Sequence, residues 1–227
     1  MHYALAVFDM AGTTVLDRGN LVAEALAQAL DAAGVAVDPE AARPLMGYDK
    51  PEAIRRLLVG HGAADRAADR DFVERVHADF VARMIACYRD DPRVAPMPSA
   101  EAAFVELRGL GLRVALNTAF SRDIAEAIVE RFGWRERGLI DDLIAADEVP
   151  AGRPQPYMIE ALRARAGDVA ANRVVKIGDT EVDIAEGRNA DVGLVVSVTT
   201  GAYRRDELLP YRPDAVIDDL RELAALL

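Results

Sequence analysis

The chain of 227 residues sets 27 Lys+Arg against 38 Asp+Glu, a formal net charge of -11 with a pI near 4.8. Such acidity excludes an electrostatic grip on nucleic acid or an anionic membrane, so an anionic ligand has to be held by local positive groups. The composition, 52% hydrophobic with one cysteine, Cys87, allows a sizeable aliphatic core and no internal disulfide.

In chain order, Ala4-Leu5-Ala6-Val7-Phe8 is an apolar run that ends abruptly on Asp9, Gly12, Thr13 and Thr14. That pattern predicts a buried strand delivering a carboxylate to a loop at its C-terminal end. With the first strand reached by residue 3 there is no room for a signal peptide, and no apolar run is long enough to span a membrane. The expectation is a cytoplasmic protein. Asn20 stands where an N-cap would precede an amphipathic helix over 21–30, with Gly34 past its end. Pro39, Pro44 and Gly47 break residues 35–47 into short helical turns. Asp49-Lys50-Pro51 opens the next helix, which Gly60-His61-Gly62 stops. The spacing of Phe72, Val76, Phe80, Met84 and Cys87 predicts one long helix or two joined ones over 65–88. Residues 90–98, with three prolines, read as a linker.

Beyond the linker the pattern alternates. Ser99 caps a helix to about 108, 112–116 is a strand, and Ser121 caps a helix ending near Gly133. A strand at 143–146, a helix begun by Pro154, a strand at 174–177, a helix over 180–189, strands at 194–198 and 215–217 and a last helix follow. Strands alternating with helices predict an α/β fold, a doubly wound parallel sheet. The helical stretch at 17–93 is then a small all-α cap inserted after the first strand, and residues 1–16 with 94–227 form the catalytic core.

Four strand ends carry polar groups: Asp9 with Thr13, Asn117-Thr118, the segment from Asp147 to Arg153, and Gly178-Asp179-Thr180 with Asp183. Parallel strands bring such ends to one edge, where open α/β sheets bind ligands. An isolated D-x-x-G means no more than a turn, but the distant segments end in the same way. Asp9, Asp179 and Asp183 offer the hard oxygen ligands that Mg2+ takes. Thr118, Arg153 and the amides of the loop through Gly12 and Thr13 can meet phosphoryl oxygens. Only Lys50 and Lys176 are lysines, in a chain that otherwise chooses arginine.

Asp9-Met10-Ala11-Gly12-Thr13-Thr14, Thr118, Arg153 and Gly178-Asp179-Thr180-Glu181-Val182-Asp183 resemble the four motifs of the haloacid dehalogenase (HAD) superfamily. Within it, Val149-Pro150-Ala151-Gly152-Arg153-Pro154, Glu186-Gly187-Arg188-Asn189-Ala190 and the Met46-Gly47-x-x-Lys50 spacing resemble the phosphonatase-like, phosphonoacetaldehyde hydrolase-related subfamily. The resemblance implies a HAD-like Rossmannoid core and a Mg2+-dependent hydrolase working through an aspartyl-phosphate. Asp9 would be the nucleophile, and Asp9, the Ala11 carbonyl, Asp179 and Asp183 would hold or support the metal. Gly12, Thr13, Asn117, Thr118 and Arg153 would bind the phosphoryl group, and Lys50 would form a Schiff base with an aldehyde substrate. The partner implied is a small phosphorylated or phosphonate substrate, with a homodimer through cap helices.

Ala11 is the informative position. Superfamily phosphomonoesterases keep a second Asp there as general acid, and a methyl group transfers no proton. A small-molecule phosphatase remains the alternative reading. From another class, a receiver-like phosphorylatable module also uses an Asp, a Thr and Mg2+ but lacks a cap. A halide-releasing enzyme would also lack the second Asp.

Overall fold

A computed structural model describes residues 3–17 and 20–227; the first cap boundary, at 16/17, adjoins positions outside the described residues. Chain order gives β1 (Leu5–Phe8), β2 (Val15–Asp17), α1 (Leu21–Ala32), α2 (Lys50–Gly60), α3 (Ala64–Ala68), α4 (Arg70–Asp90), β3 (Val94–Pro96), α5 (Ala100–Gly109), β4 (Arg113–Thr118), α6 (Arg122–Phe132), β5 (Asp142–Ala145), α7 (Tyr157–Arg165), β6 (Val174–Gly178), α8 (Glu181–Asn189), β7 (Leu194–Val198), α9 (Arg205–Leu208) and β8 (Ala215–Ile217). Six strands form one sheet in the order β5-β4-β1-β6-β7-β8, and every neighbouring pair is parallel. The chain runs outward from central β1 to one edge, then returns to fill the other side. The crevice at such a reversal lies over the C-terminal ends of the strands.

The sheet is doubly wound because β1 alternates. Ala6 and Phe8 face one layer, where Phe8 meets Phe104 of α5 edge-on at 5.2 Å. Leu5 and Val7 face the other, with Met158, Ile159 and Leu162 of α7 and Ile184 of α8. Each of these side chains larger than Ala6 contributes roughly 1.5–3 kcal/mol when fully buried. The first layer extends without a break into Leu26, Ile54, Phe80 and Met84 of the inserted helices. Arg131 of α6 fastens α4 at its end by donating to the Tyr88 carbonyl (2.8 Å).

Several sequence expectations are corrected. The linker and the first loop are not strandless: β2 and β3 pair antiparallel, with Val15 opposite Pro96. This ribbon of three residues a side is too short to leave a periodic signal. Asn20 precedes α1 at φ 59° without a side-chain cap, and neither Ser99 nor Ser121 caps its helix by a side-chain bond. The helix expected from Pro154 begins only at Tyr157, since Gln155 precedes another proline and X-Pro disfavours helical backbone. The C-terminal helix is a 3-10 segment, Leu220–Leu226. No helix of the described residues is long and apolar enough to cross a membrane.

Candidate active site

The loop after β1 folds back on itself. The Met10 carbonyl accepts from the amides of Thr13, Thr14 and Val15 (3.2, 2.8 and 2.8 Å), and Thr14 Oγ1 donates to the Asp9 carbonyl (2.9 Å). Gly12 is needed in this turn: its φ is +89°, and a Cβ there would stand 2.6 Å from Asp179 Oδ2. Asp9 therefore emerges at the sheet edge with its side chain 8% exposed.

Below it lies a buried ionic lattice. Arg153 Nη1 is 2.7 Å from Asp9 Oδ1 and 3.1 Å from Asp183 Oδ1, while its Nε is 3.2 Å from Glu186 Oε2. Lys176 Nζ is 2.9 Å from Asp183 Oδ1 and 3.2 Å from Glu186 Oε2. Asn117 joins the two cations, its Oδ1 accepting from Lys176 (2.7 Å) and Arg153 (2.9 Å) while Nδ2 donates to Glu186 (2.8 Å). Thr180 Oγ1 donates to Asp183 Oδ2 at the start of α8 (2.5 Å). These bonds satisfy charges that would be prohibitive if buried alone.

Burial raises the Asp9 carboxyl above its ordinary value, with Arg153 opposing and Asp183 reinforcing. Burial also pushes Asp179 well up, and Asp9 and Asp183 add to it. For Asp183 burial acts upward too, but Arg153 and Lys176 outweigh it and hold the carboxyl low.

Carboxylate oxygens of Asp9, Asp179 and Asp183 all lie within 4.8 Å of one another. Four carboxyls, those of Asp9, Asp179, Asp183 and Glu186, are buried here with two cations, Arg153 and Lys176. The cations pair with Asp9, Asp183 and Glu186, and Asp179 is held instead by Thr13 and Ala202. The excess of negative charge and the all-oxygen donor set suit a hard divalent cation such as Mg2+.

Over this edge a cavity of about 270 Å3 is lined by Asp9, Ala11, Gly12, Thr118, Arg153 and Asp179 from the core and by Met46, Gly47 and Lys50 from the helical segment. Asp49 caps α2 by accepting from Glu52 N (2.9 Å), which sets Lys50 and Pro51 in its first turn. Lys50 is only 3% exposed. Its Nζ donates to the Tyr48 carbonyl (3.0 Å) and lies 5.4 Å from the Phe120 ring centroid. Burial lowers its pKa to about 8, against the pull of Asp9.

The sequence-selected groups Asp9, Ala11, Gly12, Lys50, Thr118, Arg153 and Asp179 thus meet at one cavity. Asn117 does not line it, because its amide is spent in the lattice beneath. Thr13 also turns aside, donating its hydroxyl to Asp179 Oδ1 (3.1 Å). Asp147 caps α6 by accepting from Arg122 N (2.9 Å). His61 makes a 2.8 Å contact to the Leu57 carbonyl and lines a separate surface cleft. Sequence reasoning missed the part played by Glu186, although Asp183 and Glu186 at i, i+3 share a helix face. Arg43, which also lines the cavity, lies in an undistinguished Pro-rich turn and carried no signal.

A model of the haloacid dehalogenase-like hydrolase family matches residues 3–191. A phosphonoacetaldehyde hydrolase from Nitratidesulfovibrio vulgaris (strain DSM 19637 / Miyazaki F) is 35% identical over 206 residues, covering 86% of this chain and 71% of that protein. A phosphonoacetaldehyde hydrolase-like protein from Oleispira antarctica superposes with TM-score 0.86 at 20% identity, over 100% of this chain and 91% of that one. CbbY from Rhodobacter sphaeroides, solved in complex with phosphate, superposes with TM-score 0.80 at 25% identity, over 97% and 96% of the two chains.

Proposed function

The chain belongs to the haloacid dehalogenase-like hydrolase family, and from that premise we propose that it is a Mg2+-dependent phosphonatase-like hydrolase, cleaving the C–P bond of a phosphonoacetaldehyde-like substrate by way of a Schiff base on Lys50. The observation that carries this reading is the meeting of Lys50 and Asp9 in one cavity, where position 11 has no proton to give. Asp9, the Ala11 carbonyl, Asp179 and Asp183 would hold or support Mg2+, which when bound supplies positive charge shared by the nucleophile and the phosphoryl oxygens.

The residues of the chain do the rest. The neutral Lys50 amine adds to the aldehyde carbon, water leaves, and the imine nitrogen takes up one proton from solvent to give an iminium. A carboxylate oxygen of Asp9 attacks phosphorus; as that P–O bond forms, the C–P bond breaks and its electron pair passes into the iminium to give an enamine. The Thr118 hydroxyl and Arg153 offer donors to the phosphoryl oxygens, whereas the amides of Gly12 and Thr13 are spent on the Val15 and Met10 carbonyls. Water then cleaves the aspartyl-phosphate, releasing phosphate and restoring Asp9. The enamine is protonated at carbon, and water hydrolyses the imine to free Lys50. The inserted helices act in this scheme as a cap over 17–93 on a core of 1–16 and 94–227.

A second reading, a phosphomonoesterase, draws on the same lysine. With its pKa near 8, most of the amine is protonated at neutral pH and can pass a proton to a departing alkoxide, the task Ala11 cannot perform. A phosphate-release screen of phosphonates against phosphomonoesters, with and without Mg2+ and with borohydride, separates the two. The proposal expects release from phosphonoacetaldehyde, and borohydride fixing the aldehyde's mass on the Lys50 peptide with loss of activity. Phosphomonoester turnover that borohydride leaves untouched selects the second reading. Asp9→Asn is expected to abolish turnover in either case, and full activity in that variant would sink both.

A further inference from the structure

Between the helical segment and the acidic cluster runs a short strap, residues 199–202, that follows β7. Thr200 Oγ1 donates to the Gly12 carbonyl in the loop behind Asp9 (2.7 Å). Ala202 N donates to Asp179 Oδ2 (2.7 Å). Gly201 is pressed so closely on Asp179 that an added Cβ would overlap that carboxylate. The strap therefore fixes two of the groups on which the site depends.

Its other side is gripped by Arg43, in the 3-10 turn Pro39–Leu45. Arg43 Nη2 donates to the Ala202 carbonyl (3.1 Å) and to both carboxylate oxygens of Glu207 in α9 (3.0 and 2.9 Å). The two hydrogen bonds of Ala202 thus join two parts of the molecule: its N–H holds Asp179 of the core and its C=O receives a guanidinium from the segment that carries Lys50. The pair is partly exposed, with 42% of the Arg43 side chain and 27% of that of Glu207 open to solvent. As a simple surface ion pair it would contribute little to stability. Its placement at Ala202 gives it a different use.

We propose that Arg43 is a positioning residue: by clasping Ala202 and Glu207 it couples seating of the helical segment on the core to the orientation of Asp179. The metal half of this inference rests on the proposed reading of Asp179 as a Mg2+ ligand. Losing the guanidinium frees the Ala202 carbonyl, the strap moves more, and the N–H bond that orients Asp179 is made a smaller fraction of the time.

The test compares wild type, Arg43→Lys and Arg43→Ala by amide hydrogen exchange in metal-free protein and by calorimetric titration with Mg2+ alone. Arg43→Ala is expected to speed exchange at residues 200–203 about tenfold and to weaken Mg2+ binding about threefold to tenfold, with exchange in β1 and β6 unchanged; Arg43→Lys, which can still reach one acceptor, falls between. Unchanged exchange at 200–203 in Arg43→Ala overturns the coupling. Should that variant fail to fold, Arg43→Lys indistinguishable from wild type in both measurements overturns it equally. The exchange arm needs no metal, so a wild-type protein that binds no Mg2+ refutes the reading of Asp179 while exchange alone decides the coupling.

Discussion

Lys50 is an ammonium carried into a site where burial costs it more than Asp9 and Asp49 give back, which is why its pKa falls to about 8 from the usual 10.5. Two consequences have definite signs. The neutral amine is the form that attacks an aldehyde, so borohydride trapping at Lys50 should rise about tenfold per pH unit below 8 and level off above it. A lysine at its ordinary value would still be gaining at pH 10. Because the folded-state value is lowered, the destabilisation is complete below about 8 and fades as pH approaches 10.5. Lys50→Met is therefore expected to stabilise the protein at pH 7, by up to about 3 kcal/mol, while abolishing trapping. Denaturant unfolding at pH 7 and pH 10 checks this, the gain shrinking at the higher pH. A variant less stable than wild type at pH 7 would mean that the bond to the Tyr48 carbonyl and the attraction of Asp9 outweigh the cost of burial.

At the scale of elements, what delivers Lys50 is the turn before α2. Gly47 sits there at φ +84°, and a Cβ would come within 2.5 Å of Thr180 Oγ1 and of Val182 Cγ2 at the start of α8. The turn thus rests directly on the segment that carries Asp179 and Asp183. Gly47→Ala combines left-handed strain of about 1–2 kcal/mol with overlap against that helix, and the strain is relieved by lifting the turn. The expected result is a fall of at least about tenfold in kcat and in the trapping rate with a small loss of thermal stability. Unchanged kcat would show that Lys50 is held independently of this contact. The helix starts themselves were legible in part. Asp49 with Lys50-Pro51 announced α2, and Asp49 does cap it. The ribbon of β2 and β3 was not, because its pairing depends on residues nearly eighty positions apart and neither strand is long enough to show a period.

For the molecule as a whole, the acidic excess reappears in miniature inside it. Asp9, Asp179 and Asp183 repel one another in a buried site, and burial together with the other two raises Asp179. A cation bound there stabilises the fold by mass action, about 2.7 kcal/mol at a hundred times its Kd. Mg2+ added to metal-free protein is expected to raise the Tm, and EDTA to reverse it. Asp179→Asn should remove the Mg2+-dependent rise while raising the Tm of the metal-free protein, since one repelling charge is gone. A Mg2+ response that survives in Asp179→Asn would place the ion elsewhere.

Local chemistry was enough to read the alternation of strands and helices, the polar strand ends and the four motifs, because burial on both faces of a parallel sheet writes continuous apolar runs and each motif is contiguous in the chain. Ala11 stood out only against the superfamily's pattern, and Lys50 by the subfamily's spacing together with the scarcity of lysine. Tertiary structure alone decided that Asn117 belongs to the lattice beneath the site, that Glu186 and Lys176 complete it, and that Arg43 reaches Glu207 and Ala202. Those facts depend on side-chain direction and on contacts between residues 159 and 164 positions apart. A hydrogen bond of that reach imposes no pattern on the residues near either end, so it becomes visible only when the sheet has brought the two ends together.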